Sequence, residues 1–298
     1  MLEMEVVEKY RKAGQIAGTI RREVLGFVKP GMNLLEIADF VEKRIEEYGG
    51  KAAFPVNISV NEIAAHYTPA IGEQRAVQEG DIVKIDIGVH VDGYIGDLAC
   101  TYCSQKNELV AAAESIMREA LKILKPGITV AEIGEFIQGS AERMGFGVIT
   151  NLTGHAVDRY QFHMAPSIPN IANASRHEFA EGDVIAIEPF IAESNGYVKE
   201  ADIVEIYRFL QDRQARMQEA RKILELAKGE FNRLPFAKRW LAKYFSTVKI
   251  SMALRQLEQI GALETHPVLR EAGGKKIAQA EETIIIAEKP VVTTRVDD

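Results

Sequence analysis

Cysteine is nearly absent: the 298 residues include only Cys100 and Cys103, so no disulfide framework can staple the chain. Their C-x-x-C spacing is that of redox and zinc sites. On a strand, however, residues three apart face opposite ways, and no second pair completes a metal tetrad. Both read as structural thiols. No apolar run approaches the roughly 20 residues that span a bilayer. The opening "MLEMEVVEKYRKAGQ" is too charged for a signal peptide, so a cytoplasmic protein without membrane contact is expected. The sequons at Asn57, Asn151 and Asn173 carry no meaning in such a chain. A net charge of −7 speaks against wholesale nucleic-acid binding and against specific DNA recognition. P-loop, G-x-G-x-x-G and G-x-S-x-G patterns are missing, and His177-Glu178 lacks the second histidine of H-E-x-x-H. Nucleotide binding, serine hydrolysis and zincin chemistry thereby lose their usual signatures. What remains is an ordinary globular composition, 47% hydrophobic and 27% charged, able to bury a sizeable core.

The stretch "VKIDIGVHVDGYIGD" at residues 83–97 alternates with the period of a half-buried strand. Asp92-Gly93 supplies a two-residue type I′ turn, because both positions need φ > 0. With that turn, Gly88 pairs with Asp97 and Asp86 with Ala99. Asp86 and Asp97 then become diagonal neighbours on one face, Cβ atoms roughly 7 Å apart, with Gly88 leaving room between them. Taken alone, the stretch could be the wet face of a hairpin.

An internal repeat argues otherwise. Residues 29–49, "KPGMNLLEIADFVEKRIEEYG", align with 125–145, "KPGITVAEIGEFIQGSAERMG", at an offset of 96. Each reads as a turn and an amphipathic helix, with apolar stripes Leu34, Ile37, Val41, Ile45 and Val130, Ile133, Ile137. Arg22-Glu23 matches Arg118-Glu119 upstream; "HYTP" at 66–69 matches "HMAP" at 163–166. "GDIVKID" at 80–86 matches "GDVIAIE" at 182–188, offset 102. The chain therefore reads as two homologous halves, each helix–helix–loop–strand, with Glu188 answering Asp86 and His163 answering His66. The counterpart of Asp97 should lie on the return strand "AQAEETIIIAE" at 278–288, which carries Glu281 and Glu282.

Carboxylates that recur symmetrically and meet on an axis form an oxygen-rich pocket, suited to two divalent ions such as Mn²⁺, Fe²⁺, Co²⁺ or catalytic Zn²⁺. Paired ions of this kind are a hydrolytic arrangement. His155, at the end of "NLTGH", is an available imidazole.

"AAHYTP", "KIDIGVHVDGYIGD", "NLTGH", "AIEPF" and "AQAEET" together resemble the methionine aminopeptidases of the pita-bread fold, from about residue 10 onward. The resemblance implies an α+β fold of two pseudo-twofold halves, with antiparallel sheet covered by helices, in one catalytic domain over residues 1–298. It implies removal of N-terminal methionine from nascent chains, preferentially before a small residue. Asp86 would hold one ion, His155 and Glu188 the other, and Asp97 and Glu281 both. Glu188 would also move a proton to the leaving amine. His66 would contact the scissile amide and His163 the substrate carbonyl. Phe54, Phe162 and His266 would wall the methionine pocket. Two positions depart from the family pattern: Glu282 stands where His is usual, and His266 where Tyr is usual. Related alternatives are an X-Pro dipeptidase or aminopeptidase P on the same cage, and a non-catalytic binding protein on this fold.

The interval between Glu188 and Glu281 resembles the type II branch, whose helical insertion would fall at 206–266. Residues 206–260 read as helices, with Pro235 in the first turn of "FAKRWLAKYF". This span holds 12 Lys+Arg against 5 Asp+Glu, which raises weak ribosomal RNA contact as an expectation. A monomer is expected.

Overall fold

A computed structural model describes residues 2–296. Helices α1 (Met4–Phe27) and α2 (Leu34–Glu47) lead into short strands β1 (Lys51–Ala52), β2 (Asn57–Val60) and β3 (Ile63–Ala65). The hairpin β4 (Ile82–Val91) and β5 (Tyr94–Cys103) completes the first half. Helices α3 (Glu108–Ile123) and α4 (Val130–Arg143) open the second, followed by β6 (Gly147–Val148), β7 (Thr153–Asp158), β8 (Gln161–Pro169), β9 (Val184–Ile187) and β10 (Phe190–Ala192). Then come β11 (Val198–Phe209), α5 (Gln218–Lys228), β12 (Phe236–Ala237), a 3₁₀ turn (Lys238–Lys243), α6 (Thr247–Gln259) and β13 (Leu263–Glu271). Strands β14 (Ile277–Gln279), β15 (Glu282–Ile285) and β16 (Val291–Val292) finish the chain.

The repeat is visible in how the helices begin. Asn33 and Thr129 cap α2 and α4, and Glu36 and Glu132, three residues on, return the bond to the cap backbone. Such reciprocal caps satisfy amide donors that the first turn leaves open. The apolar stripes expected from the sequence are buried, and each half has a large core of its own beneath its helix pair.

The β4–β5 hairpin has the expected register, Gly88 opposite Asp97 and Asp86 opposite Ala99, around Asp92 and Gly93 at φ 52° and 92°. Gly88 does leave room, but the ring of Phe54 takes it: a Cβ there would lie 2.3 Å from the ring. The glycine thus seats an aromatic wall of the cavity.

The two halves join where Glu281 N–H donates to Ala99 O at 3.0 Å, beside an Ala99–Glu281 bridge. Here register corrects the sequence expectation. Glu282 pairs with Ile187 and Gln279 with Phe190, so at the 102-residue offset between the halves Gln279, not a glutamate, occupies the position of Asp97. Glu281 occupies that of Ala99. The expected single return strand is split into β14 and β15, with Glu281 between them. His163 is likewise in strand β8, not in a loop like its counterpart His66.

Residues 206–209 and 263–266 are strand, not helix: β11 and β13 form a long antiparallel pair. Phe236-Ala237 is also strand, so Pro235 starts no α-helix. Between them α5, α6 and the 3₁₀ turn enclose a separate apolar core. Seven of its expected basic residues are ion-paired: Arg208, Lys222, Lys228, Lys238, Arg239, Lys243 and Lys249. Four of their partners, Asp212, Glu219, Glu225 and Glu230, lie in the same span and three, Glu42, Glu205 and Glu264, lie outside it, so the span keeps a net positive balance. No described helix is long and apolar enough to cross a membrane.

Candidate active site

One cavity of about 170 Å³ is lined by Asp86, Asp97, His155, Glu188 and Glu281, together with His66, His163, His266, Phe54 and Phe162. Every residue singled out from the sequence for the site reaches this space. Asp86 and Asp97 project from the hairpin, His155 from β7, and Glu188 and Glu281 from the breaks that follow β9 and precede β15.

Asp97, His155, Glu188 and Glu281 are buried, and Asp86 keeps its Oδ1 enclosed without a hydrogen-bond partner, as does Asp97. Burial drives all four carboxyls up, and mutual repulsion adds to it for Asp97, Glu188 and Glu281. For Asp86 the value reaches about 7 through burial. Acids arranged this way oppose ionisation unless a cation offsets them.

The imidazole is poised to complement them. His155 Nδ1 lies 3.2 Å from the Ala156 carbonyl; a carbonyl only accepts, so Nδ1 carries the proton and Nε2 offers a lone pair. That Nε2 is 3.7 Å from Asp97 Oδ2 and 3.8 Å from Glu188 Oε1, too far for hydrogen bonds but suited to a shared centre. Burial lowers its pKa to about 4, which keeps it neutral and available as a ligand. Two overlapping sets, Asp97–His155–Glu281 and His155–His163–Glu188, bring one donor atom each within 4.8 Å of one another. Asp86 belongs to neither set, although its charge acts on Asp97, Glu188 and Glu281. Orphaned buried oxygens and a converging N/O donor set fit divalent metal.

The rest of the cavity is aromatic and imidazole-rich. Phe54 and Phe162 lie 5.8 Å apart, Phe162 stacks on His163 at 4.3 Å, and His66 meets His266 edge-on at 5.6 Å. His66 Nδ1 is 3.1 Å from Pro267 O, so its Nε2 is the acceptor. Burial lowers His66 and His266, the latter to about 4.

Glu282 turns away from the cavity. It takes Arg21 Nη1 at 2.7 Å, and Thr294 donates its hydroxyl to the other oxygen, which accounts for an acid beside the cluster. Sequence reading missed Gln279, whose Nε2 lies 3.4 Å from Glu188 and 3.5 Å from Glu281. The repeat offset, carried through strand register, was the signal that could have found it. Asn57, Ile206 and Pro235 also line the cavity; Asn57 faces Asp86 across the β2–β4 ladder.

The signature of metallopeptidase family M24 matches residues 8–211. A methionine aminopeptidase of Thermococcus onnurineus is 45% identical over 294 residues, 98% of this chain and 100% of the relative. The chain belongs to the M24 metallopeptidases, among the methionine aminopeptidases. Members of this family are metal-dependent hydrolases, and the donor set above supports divalent metal use here. The fold agrees: a Thermotoga maritima methionine aminopeptidase superposes with a TM-score of 0.73 at 23% identity, covering 99% of this chain and 98% of the other. A thermophilic Arx1 superposes with a TM-score of 0.87 at 17% identity, covering 100% and 93%.

Proposed function

We propose that the chain removes N-terminal methionine from peptides and nascent proteins in the cytoplasm, preferring a small second residue, with two divalent ions of Mn, Fe, Co or Zn. The convergence of four carboxylates and His155 on a cavity walled by Phe54 and Phe162 carries this reading. Asp86, Asp97, His155, Glu188 and Glu281 would hold the metal. When bound, it supplies Lewis acidity and a water of lowered pKa.

The chain's own groups would do the rest. Phe54, Phe162 and His266 enclose the unbranched methionine side chain. His66 Nε2, free of its proton, accepts the scissile amide N–H. His163, stacked on Phe162, steadies the carbonyl oxygen as charge develops. Glu188, whose carboxyl burial pushes up, carries a proton to the leaving amine. Crowding by His66 and His163 leaves little space beyond the scissile bond, hence the small second residue. The segment between β11 and β13 is taken as the type II insertion.

Metal analysis combined with assays of Met-Ala-Ser, a Met peptide with a bulky second residue, and Ala-Pro peptides tests this. Methionine release from Met-Ala-Ser alone is expected, with activity lost on chelation and in Asp97→Ala. Preferential Ala-Pro cleavage, or full turnover after chelation, overturns it.

A further inference from the structure

His66 opens an irregular loop, residues 66–72, that contains no helix or strand. Its backbone is left-handed, φ 62°, a conformation that costs a side-chain-bearing residue energy and persists when the surroundings impose it. The surroundings include the helical segment. Arg239, in the 3₁₀ turn, has a side chain only 7% exposed. One end of its guanidinium pairs with Glu42 of α2, and the other donates to the Thr68 hydroxyl and lies 3.4 Å from Pro69 O. Thr68 passes the contact on, donating to Val56 O at 2.8 Å. Trp240, the next residue, donates to the second Glu42 oxygen at 2.8 Å, and Ile71 of the loop packs against the segment's apolar core.

We propose that Arg239 is a positioning residue for His66: by clamping Thr68 and Pro69 to Glu42, it fixes the turn that aims the imidazole into the cavity. A planar fork is what this task needs, because one rigid group must serve a carboxylate and a loop at once. The helical segment thereby becomes part of the catalytic scaffold. The inference rests on the peptidase reading of the cavity.

Thr68→Val removes the hydroxyl and leaves the Glu42–Arg239 pair whole; Arg239→Lys keeps charge without the fork. Each is measured for kcat and KM on Met-Ala-Ser, alone and with His66→Ala, alongside metal content and melting temperature. The expected result is a roughly tenfold or greater fall in kcat, KM within about twofold, and unchanged metal. With His66→Ala already present, neither change should cost more, since groups acting as a unit are not additive. The His66 resonance in an imidazole-selective NMR spectrum should shift in both variants. Equal cost in the two backgrounds, or an unmoved His66 resonance, overturns the proposal even if Arg239→Lys proves too unstable to assay, because Thr68→Val suffices. A wild type that cleaves no Met peptide sinks the peptidase reading, while the resonance still decides whether the clamp holds His66.

Discussion

In the first half of the molecule the acid-bearing strands form one unbroken hairpin; in the second the same strands are each cut in two, at Glu188-Pro189 and at Ala280-Glu281, and residues 193–276 intervene. Asp86 and Asp97 project from strand interiors, whereas Glu188 and Glu281 sit at the cuts. Register separates the halves further, since Gln279 lies at the position of Asp97 and Ala99 at that of Glu281. Duplication thus settled which strands face the cavity, and the breaks settled which residues on them are acids. Strict twofold symmetry would have put an acid at 279 and an alanine at 281; instead the acid is Glu281, and at 279 stands an amide that can donate to both Glu188 and Glu281.

The largest effect should come from swapping chemistry at that symmetric pair. Asp97→Asn removes an anion from the cluster, and metal content and turnover should fall together by well over a hundredfold. Gln279→Leu removes only a supporting donor, and a loss of roughly 10–100-fold in metal affinity by calorimetry is expected. Losses of equal size would mean that the two positions are functionally equivalent after all.

The helix layers test the opposite side of the comparison, where the halves should behave alike. Ile37 and Ile133 occupy matching positions and are both fully buried. Truncating either to alanine should cost about 2–5 kcal/mol in urea unfolding, the two values agreeing within about 1 kcal/mol. A large inequality would mean that one half is held mainly by its partner.

The smallest effect concerns His90, which the second half replaces by Ala192 at the same offset. Its Nδ1 accepts the Gly93 N–H at 3.1 Å, and burial, with Lys51 nearby, lowers its pKa to about 4. The folded form therefore binds a proton less readily than the unfolded chain, whose value is near 6.5. The stability this confers is present above about pH 6.5 and is lost as pH falls towards 4. His90→Gln should flatten that slope by up to about 2–3 kcal/mol; an unchanged slope would exclude it.

Much of the site could be read directly, because period-two alternation and a two-residue turn leave no freedom: once Asp92-Gly93 is the turn, the facing of Asp86 and Asp97 follows. The repeat then carried the argument to Glu188 and His163. What escaped depended on long-range pairing. Nothing local shows that the strand after residue 277 breaks before Glu281, that Phe54 fills the space over Gly88, or that Lys238–Lys243 winds as a 3₁₀ turn instead of an α-helix. Nor does summed charge show which cations of the helical segment are paired: they meet acids within it and on α2, β11 and β13, a fact that depends on folding and not on composition.

Gly14 and Gly18 on α1 have a consequence beyond packing. Their missing side chains admit the backbone of Thr293 and Thr294, against which a Cβ would come within 2.3 Å. Those threonines in turn hydrogen-bond to the strand that follows Glu281. These helical residues thus wait for partners some 280 positions later. Such high contact order predicts slow folding, and on a ribosome the acidic cluster could close only after the chain as far as Thr294 had emerged.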